Sequence, residues 1–165
     1  MTARDKIIPC IWYDKGQARQ AAEFYVSLGL PDSRVGDAWK APSDNPSAVK
    51  GEELVVEFTL AGHRYVGLNG GPMFPQTEAV SFMVVTDDQA ETDRLWKAIV
   101  DNGGQESQCG WCKDRWGVNW QITPRRLLDF YADPNPARAK AAFEAMMTMK
   151  KIDIAALEAA ADGAS

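Results

Sequence analysis

Glu57 is the residue of this sequence best suited to acid–base chemistry. It lies in an alternating segment, Leu54 to Leu60, and is the only carboxylate among the side chains predicted to line a ligand cleft. A carboxylate in a partly enclosed cleft can act as a general acid or base. The sequence therefore predicts Glu57 as the catalytic candidate if the chain is an enzyme.

The other residues predicted to face the cleft are uncharged. Strand alternation places them on the side of the sheet opposite the helices. Their amide, hydroxyl and aromatic groups suit stacking and neutral hydrogen bonding to a flat polar molecule. The predicted ligand-binding residues are Tyr65, Asn69, Ser81, Trp111, Asn119 and Gln121.

Two further features resemble reactive sites but are better explained by structure. His63 falls in a predicted turn, Ala61-Gly62-His63, and is expected to be exposed to solvent. Cys109 and Cys112 form a CxxC motif, but a predicted strand points the two thiols to opposite faces and no helix follows. Both cysteines are therefore expected to be structural thiols, with neither a redox role nor bound zinc.

Composition excludes several classes of protein. The chain has 165 residues, 45% of them hydrophobic, and a net charge of −5. It shows no basic patch for nucleic acid or an anionic membrane surface, and no apolar stretch near the ~20 residues that span a bilayer. Three cysteines without a framework spacing indicate a reducing compartment, and a cytoplasmic location is expected.

An internal repeat organises the chain. Asp14 and Asp88 can each cap a helix, and Gly29 and Gly103 can each end one. The members of each pair are 74 residues apart. This offset predicts two equivalent units, each consisting of a strand, a helix and three further strands.

The predicted fold is α+β: two tandem βαβββ units that form a curved mixed sheet with a cleft, followed by C-terminal helices. The units are expected at about 6–72 and 79–123 and the helices within 124–161, all in one domain of residues 1–165. Strand parity predicts that Val66 and Leu68 pack on the helices. The tryptophans predicted to face the core are Trp12, Trp96 and Trp120, whereas Trp111 and Trp116 flank the cleft mouth and could stack on a ligand or simply pack.

Short motifs along the chain carry a family resemblance. They are Cys10 to Asp14, Glu23 to Tyr25, Leu68 to Pro72, Asp88 to Trp96, Cys109 to Trp111, Gly117 to Gln121 and Met149 to Asp153. Together they closely resemble PhnB-like proteins of the vicinal-oxygen-chelate (glyoxalase and bleomycin-resistance) superfamily, a family commonly labelled 3-demethylubiquinone-9 3-methyltransferase-like. The resemblance runs from about residue 6 to 157 and implies the βαβββ fold and a homodimer.

The resemblance also implies where a metal ion would bind. Metal-dependent relatives use four His, Glu or Gln side chains, from the first and last strand of each unit. The corresponding positions here are Ile7, Ser81, Gly67 or Asn69, and Gln121. Only Gln121 matches the pattern, so no metal ion and no cofactor is expected.

Two functions remain open from the sequence. The first is a metal-independent protein that binds a small aromatic or quinone-like molecule. The alternative is an enzyme of the 3-demethylubiquinone-9 3-methyltransferase-like family that uses Glu57 as acid or base. The segment Asn69-Gly70-Gly71-Pro72 is interpreted as an exit turn and not as a phosphate or cofactor loop, because no helix follows it. The expected partners are a small-molecule ligand and a second copy of the chain.

Overall fold

A computed structural model describes residues 6–164, which divide after Gln76 into two compact units. Each unit has one four-stranded mixed sheet, and the two sheets have the same strand order. The predicted α+β fold with two βαβββ units is therefore confirmed. The single domain and the cleft stay predictions.

The first unit contains one helix and four strands. These are β1 (Cys10–Tyr13), α1 (Ala18–Ser27), β2 (Arg34–Lys40), β3 (Glu53–Leu60) and β4 (His63–Asn69). The sheet order is β1-β4-β3-β2, in which only β1 and β4 run parallel. The sequence predicts a first strand over 7–13, but β1 begins only at Cys10, and Ile7 lies exposed before it.

The second unit repeats this order and adds three helices. Its elements are β5 (Ser81–Thr86), α2 (Gln89–Asp101), β6 (Gln105–Glu106), β7 (Trp111–Lys113), β8 (Asn119–Pro124), α3 (Arg125–Tyr131), α4 (Pro136–Met146) and α5 (Ile154–Gly163). The sheet order is β5-β8-β7-β6, with β5 and β8 parallel. The sequence predicts one strand over 105–112 and a helix over 136–150. The structure instead has two short strands, β6 and β7, joined by a turn, and α4 ends at Met146. No helix within residues 6–164 is long and apolar enough to cross a membrane.

The repeat has a different offset from the one that the capping residues suggest. Asp88 caps α2 by accepting a hydrogen bond from Glu91 N at 2.8 Å, as predicted. Asp14 does not cap α1, because the helix begins after Gln17 and the Asp14 carboxylate accepts from the neighbouring Lys15 N instead. The strand and helix starts of the two units are therefore 71 residues apart. The 74-residue offset holds only at the helix ends, because α2 has 13 residues and α1 has 10.

The start of α1 is capped from β4. Asn69 is 4% exposed, and its Oδ1 accepts a hydrogen bond from Ala18 N at 2.9 Å. The Nδ2 of the same side chain donates to Glu53 O at 2.8 Å. One buried amide therefore satisfies a helix amide and a strand carbonyl, and it joins α1, β3 and β4.

The hairpin between β3 and β4 determines which residues share a face. Its turn has two residues, Ala61 and Gly62, with φ values of 47° and 79°, as in a tight type I′ turn. The predicted third turn residue, His63, is exposed but is the first residue of β4 and pairs with Leu60. A turn shorter by one residue changes the register by one step, so every side chain of β4 lies on the face opposite to the predicted one.

The corrected register reassigns several residues. Tyr65 lies opposite Phe58, on the face that packs against α1, and Asn69 lies on that face too. Val66 and Leu68 lie on the other face, and so does Trp12, which pairs with Leu68. The predicted faces of Tyr65, Asn69, Val66 and Leu68 were wrong for this reason. The predicted face of Trp12 was also wrong, because β1 pairs with β4 so that Trp12 lies beside Leu68. Trp96 and Trp120 are buried as predicted.

Candidate ligand sites on the open sheet faces

We call the side of each sheet that faces away from α1 or α2 its open face. The register assigns to the first open face Cys10, Trp12, Arg34, Trp39, Val55, Glu57, Thr59, Arg64, Val66 and Leu68. It assigns to the second open face Ser81, Met83, Val85, Gln105, Trp111, Lys113, Asn119, Gln121 and Thr123.

The centre of the second open face is a row of three side chains from adjacent strands. Gln121 on β8 lies opposite Met83 on β5 and opposite Trp111 on β7. Met83 is 50% exposed, and the other two are half-buried. Ser81 Oγ accepts a hydrogen bond from Gln121 Nε2 at 2.8 Å. An indole, an amide, a hydroxyl and a thioether are thus grouped here, and none carries a formal charge.

Asn119 lies on the same face but is only 2% exposed. Its Nδ2 donates to Thr77 O at 2.9 Å and to Gly117 O at 3.3 Å. The Asn119 amide therefore stabilises the fold by joining β8 to the backbone at Thr77 and Gly117. Its neighbour across the sheet, Lys113, forms an ion pair with Glu78 and lowers the pKa of that carboxyl group by hydrogen bonding to it.

Glu57 lies on the first open face, beside a basic side chain. Its Oε1 is 3.3 Å from Arg64 Nη2, and the two side chains are 26% and 39% exposed. Together with Arg34, Asp37 and Thr59 they line a depression of about 220 Å³. This face therefore offers an acid and a guanidinium within reach of one small molecule.

An apolar row lies next to Glu57 on the first open face. It crosses all four strands and consists of Trp12, Leu68, Val55 and Trp39. Trp12 Nε1 donates to Gly71 O at 2.7 Å, and its ring meets Phe74 edge-to-face at 4.9 Å. The segment that follows β4 therefore packs against Trp12 through Gly71 and Phe74, which agrees with its interpretation as a turn.

The structure brings together only part of the predicted ligand set. Ser81, Trp111, Asn119 and Gln121 share the second open face, and Glu57 lies on the first. Tyr65 stacks on Phe58 at 5.4 Å on the opposite side of the first sheet, where burial raises the pKa of its hydroxyl. Whether Tyr65 or Asn69 binds a ligand stays untested, but their contacts assign both side chains to the packing of the first unit.

Two residues of these faces were missed from the sequence. Met83 follows Ser81 by two positions, so strand alternation alone would have placed it on the same face. The turn between β3 and β4 sets how the two strands pair. The position of Arg64 beside Glu57 could therefore be predicted only if the length of that turn were known.

Of the two cysteines predicted to lie in one strand, only Cys112 does. Cys112 is buried on the α2 side of its sheet, where desolvation, together with nearby carboxylates, raises the pKa of its thiol to about 12. Cys109 does not lie in a strand: it occupies the turn before β7 with a φ of 58°. All three cysteines are free thiols.

The positions expected to hold a metal ion also move with the corrected offset. Cys10 is equivalent to Ser81, and Leu68 is equivalent to Gln121. Leucine has no donor atom and the Ser81 hydroxyl is bonded to Gln121, so these residues do not fit a divalent ion. Within residues 6–164 no three His, Cys, Asp or Glu side chains are grouped closely enough to hold one. The absence of a metal ion stays a prediction.

The fold just described is that of PhnB-like proteins. The PhnB protein of Bacillus cereus has a TM-score of 0.63 at 24% identity, over 73% of this chain and 99% of that one. Protein PA1353 from Pseudomonas aeruginosa has a TM-score of 0.58 at 20% identity, over 73% and 98%. These likenesses concern the fold alone, and no curated protein matches the sequence.

The sequence model of the 3-demethylubiquinone-9 3-methyltransferase family matches residues 5–123. The chain belongs to this family, as its motifs indicated. The match ends at Thr123, within β8, so the three C-terminal helices lie beyond it.

Proposed function

We propose that this protein binds a small aromatic or quinone-like molecule on its second open face, without a metal ion. The row Met83–Gln121–Trp111 supports this proposal most directly. An indole offers a flat surface on which a ring can stack, and a thioether adapts to the shape of a ring edge.

The hydrogen bond within this row favours a ligand that carries a carbonyl group. Ser81 Oγ accepts from Gln121, which leaves the serine hydrogen to donate to a bound ligand. A quinone presents carbonyl oxygens in the plane of its ring, so one oxygen can accept from Ser81 while the ring lies on Trp111. The absence of charge in the row favours a neutral ligand, because a buried charge without a partner is costly.

Calorimetry with duroquinone tests the proposal. Its fully methylated ring does not invite addition of the exposed Cys10 thiol. We expect saturable binding that Trp111→Ala weakens about tenfold, equal to about 1.4 kcal/mol. Trp39→Ala, a matched loss of an exposed tryptophan on the first sheet, should leave the affinity unchanged. Equal losses in the two variants, or no binding at all, would contradict the proposal.

The alternative is an enzyme that uses Glu57, and the depression shared by Glu57 and Arg64 supports it. The family's name suggests methyl transfer from S-adenosylmethionine. Enzymes that use this cofactor typically have a doubly wound parallel sheet, whereas each sheet formed by residues 6–164 has a single parallel pair. We therefore expect no binding of S-adenosylmethionine. Saturable binding that Glu57→Gln abolishes would favour the enzyme.

The metal-free state and a homodimer are parts of the same proposal. Protein purified without chelator should contain no stoichiometric zinc, nickel, manganese or iron. Light scattering at micromolar concentration should give twice the chain mass of 18.2 kDa. One metal ion per chain that is lost in Gln121→Ala, or the mass of a single chain, would refute the respective part.

A further inference from the structure

The C-terminal helices have a hydrophobic core of their own. Its buried residues are Leu127, Phe130, Ala142, Met146, Ile152, Leu157 and Ala161. The chain between α4 and α5, residues 147–153, does not simply connect these helices: it contacts the β6–β7 hairpin, which carries Trp111. We call this segment the linker.

The linker binds the turn of the hairpin and its first strand, β6. Cys109 N donates to Met149 O and Gly110 N donates to Lys150 O, each at 2.7 Å. The Lys150 Nζ lies 3.1 Å from Glu106 Oε2 on β6. Lys150 therefore contacts the turn through its backbone and β6 through its side chain.

The turn that the linker holds has an unusual backbone. Cys109 and Gly110 have φ values of 58° and 83°, and a residue with a Cβ rarely adopts the first of these without support from its surroundings. Gly110 O also accepts from Ile122 N at 2.8 Å. The residue before Trp111 is therefore held by β8 on one side and by the linker on the other.

The linker is in turn fixed to the start of α2. Gln89 Nε2 donates to Ile152 O at 3.0 Å, and Gln89 Oε1 accepts from Ile154 N at 2.8 Å. Lys151 Nζ lies 2.5 Å from Asp93 Oδ1. A continuous set of polar contacts thus runs from α2 through the linker to the turn before Trp111.

We propose that the linker positions Trp111 for ligand binding, with Lys150 as the positioning residue. This inference rests on the proposed function, in which the Trp111 indole is the stacking surface. If the ion pair to Glu106 is lost, β6 separates from the linker and the indole samples several orientations. A ligand must then order the indole as it binds, which lowers the affinity.

Lys150→Met and Lys140→Met test this inference by nuclear magnetic resonance. Lys140 pairs with Glu144 on the exposed side of α4, so its substitution removes the same charge away from the hairpin. In free Lys150→Met protein we expect exchange of the Gly110 amide to be about threefold faster, since the ion pair is partly exposed, and the Trp111 indole signal to broaden. Duroquinone should bind about threefold more weakly. Lys140→Met should change none of these.

The readouts separate this inference from the proposed function. Unchanged Gly110 exchange and an unchanged Trp111 signal in Lys150→Met would overturn the positioning role, whatever the ligand does. Faster exchange with full affinity for duroquinone would also overturn it. If the wild-type protein does not bind duroquinone, the proposed function fails, whereas the effect of Lys150 on the Trp111 signal is still measured in the free protein.

Discussion

The two units share a strand order but start their helices differently. Asp88 caps α2 from the adjacent position, whereas Asn69 caps α1 from 51 residues further along the chain. A local cap stabilises its own helix, while the distant cap also ties that helix to two strands. The comparison shows that one topology can be fixed by local or by long-range hydrogen bonds.

The two open faces also carry different side chains at equivalent positions of the repeat. Trp12 and Leu68 in the first sheet correspond to Met83 and Gln121 in the second. Glu57 corresponds to Lys113. Backbone pairing is thus repeated while the side-chain chemistry is not, so the two faces need not share a ligand or a role.

The largest effect is expected from removing the two caps. Asn69→Ala removes the partner of the buried Ala18 amide and of the partly buried Glu53 carbonyl and should lower the free energy of unfolding by about 3 kcal/mol. Asp88→Ala removes an exposed cap and should cost about 1 kcal/mol. Urea denaturation measures both, and Asn69→Asp, which keeps the acceptor for Ala18 N, should fall between wild type and Asn69→Ala. If the two alanine variants lost the same free energy of unfolding, the long-range cap of α1 would be no more important than the local cap of α2.

A second difference should appear in thiol reactivity. Cys10 in the first unit is exposed, whereas the Cys112 thiol is buried with its pKa raised to about 12. At pH 8 we expect a disulfide reagent to modify Cys10 at least about a hundredfold faster than Cys112 in the folded protein. Mass spectrometry after brief labelling identifies the modified residue. Rapid modification of Cys112 without unfolding would mean that its side of the second sheet is accessible.

The smallest effect is expected from the ion pair that ties α1 to β3. The Arg19 guanidinium donates to both oxygens of Glu53 and thereby lowers the pKa of that carboxyl group. A lowered pKa stabilises the folded state above the ordinary carboxyl pKa of 4.5, and this stability is lost as the pH falls through the folded value. Because both side chains are partly exposed, the effect should stay below about 1 kcal/mol.

Arg19→Gln should flatten the dependence of stability on pH below about pH 5 in urea titrations. Lys151→Gln is the matched variant in the second unit, because it breaks the ion pair with Asp93. Lys151 likewise lowers the pKa of its carboxyl partner, so this variant should flatten the pH dependence in the same direction. An unchanged pH dependence in Arg19→Gln would show that the pair in the first unit contributes nothing measurable.

Local sequence signals were sufficient for the architecture but not for the faces of every strand. The cap at Asp88, the glycines after both helices and the hydrophobic alternation predicted two βαβββ units correctly. The face of each β4 side chain depended on whether His63 belongs to the turn or to the strand. Because His63 belongs to the strand, Tyr65 and Asn69 lie on the face opposite to that of Glu57. The cap of α1 was missed because Asn69 is remote in sequence, and a local pattern cannot reveal such a contact.

The most direct test of the ligand site is a duroquinone titration of isotopically labelled protein followed by nuclear magnetic resonance. The proposal predicts that the Trp111 indole, the Gln121 side-chain amide and the Met83 methyl group shift together and saturate at one ligand per chain. Trp12 and Trp39, on the first open face, should keep their signals unchanged. Shifts confined to the tryptophans of the first sheet, with Trp111 and Gln121 unaffected, would contradict the assignment of the ligand to the second open face.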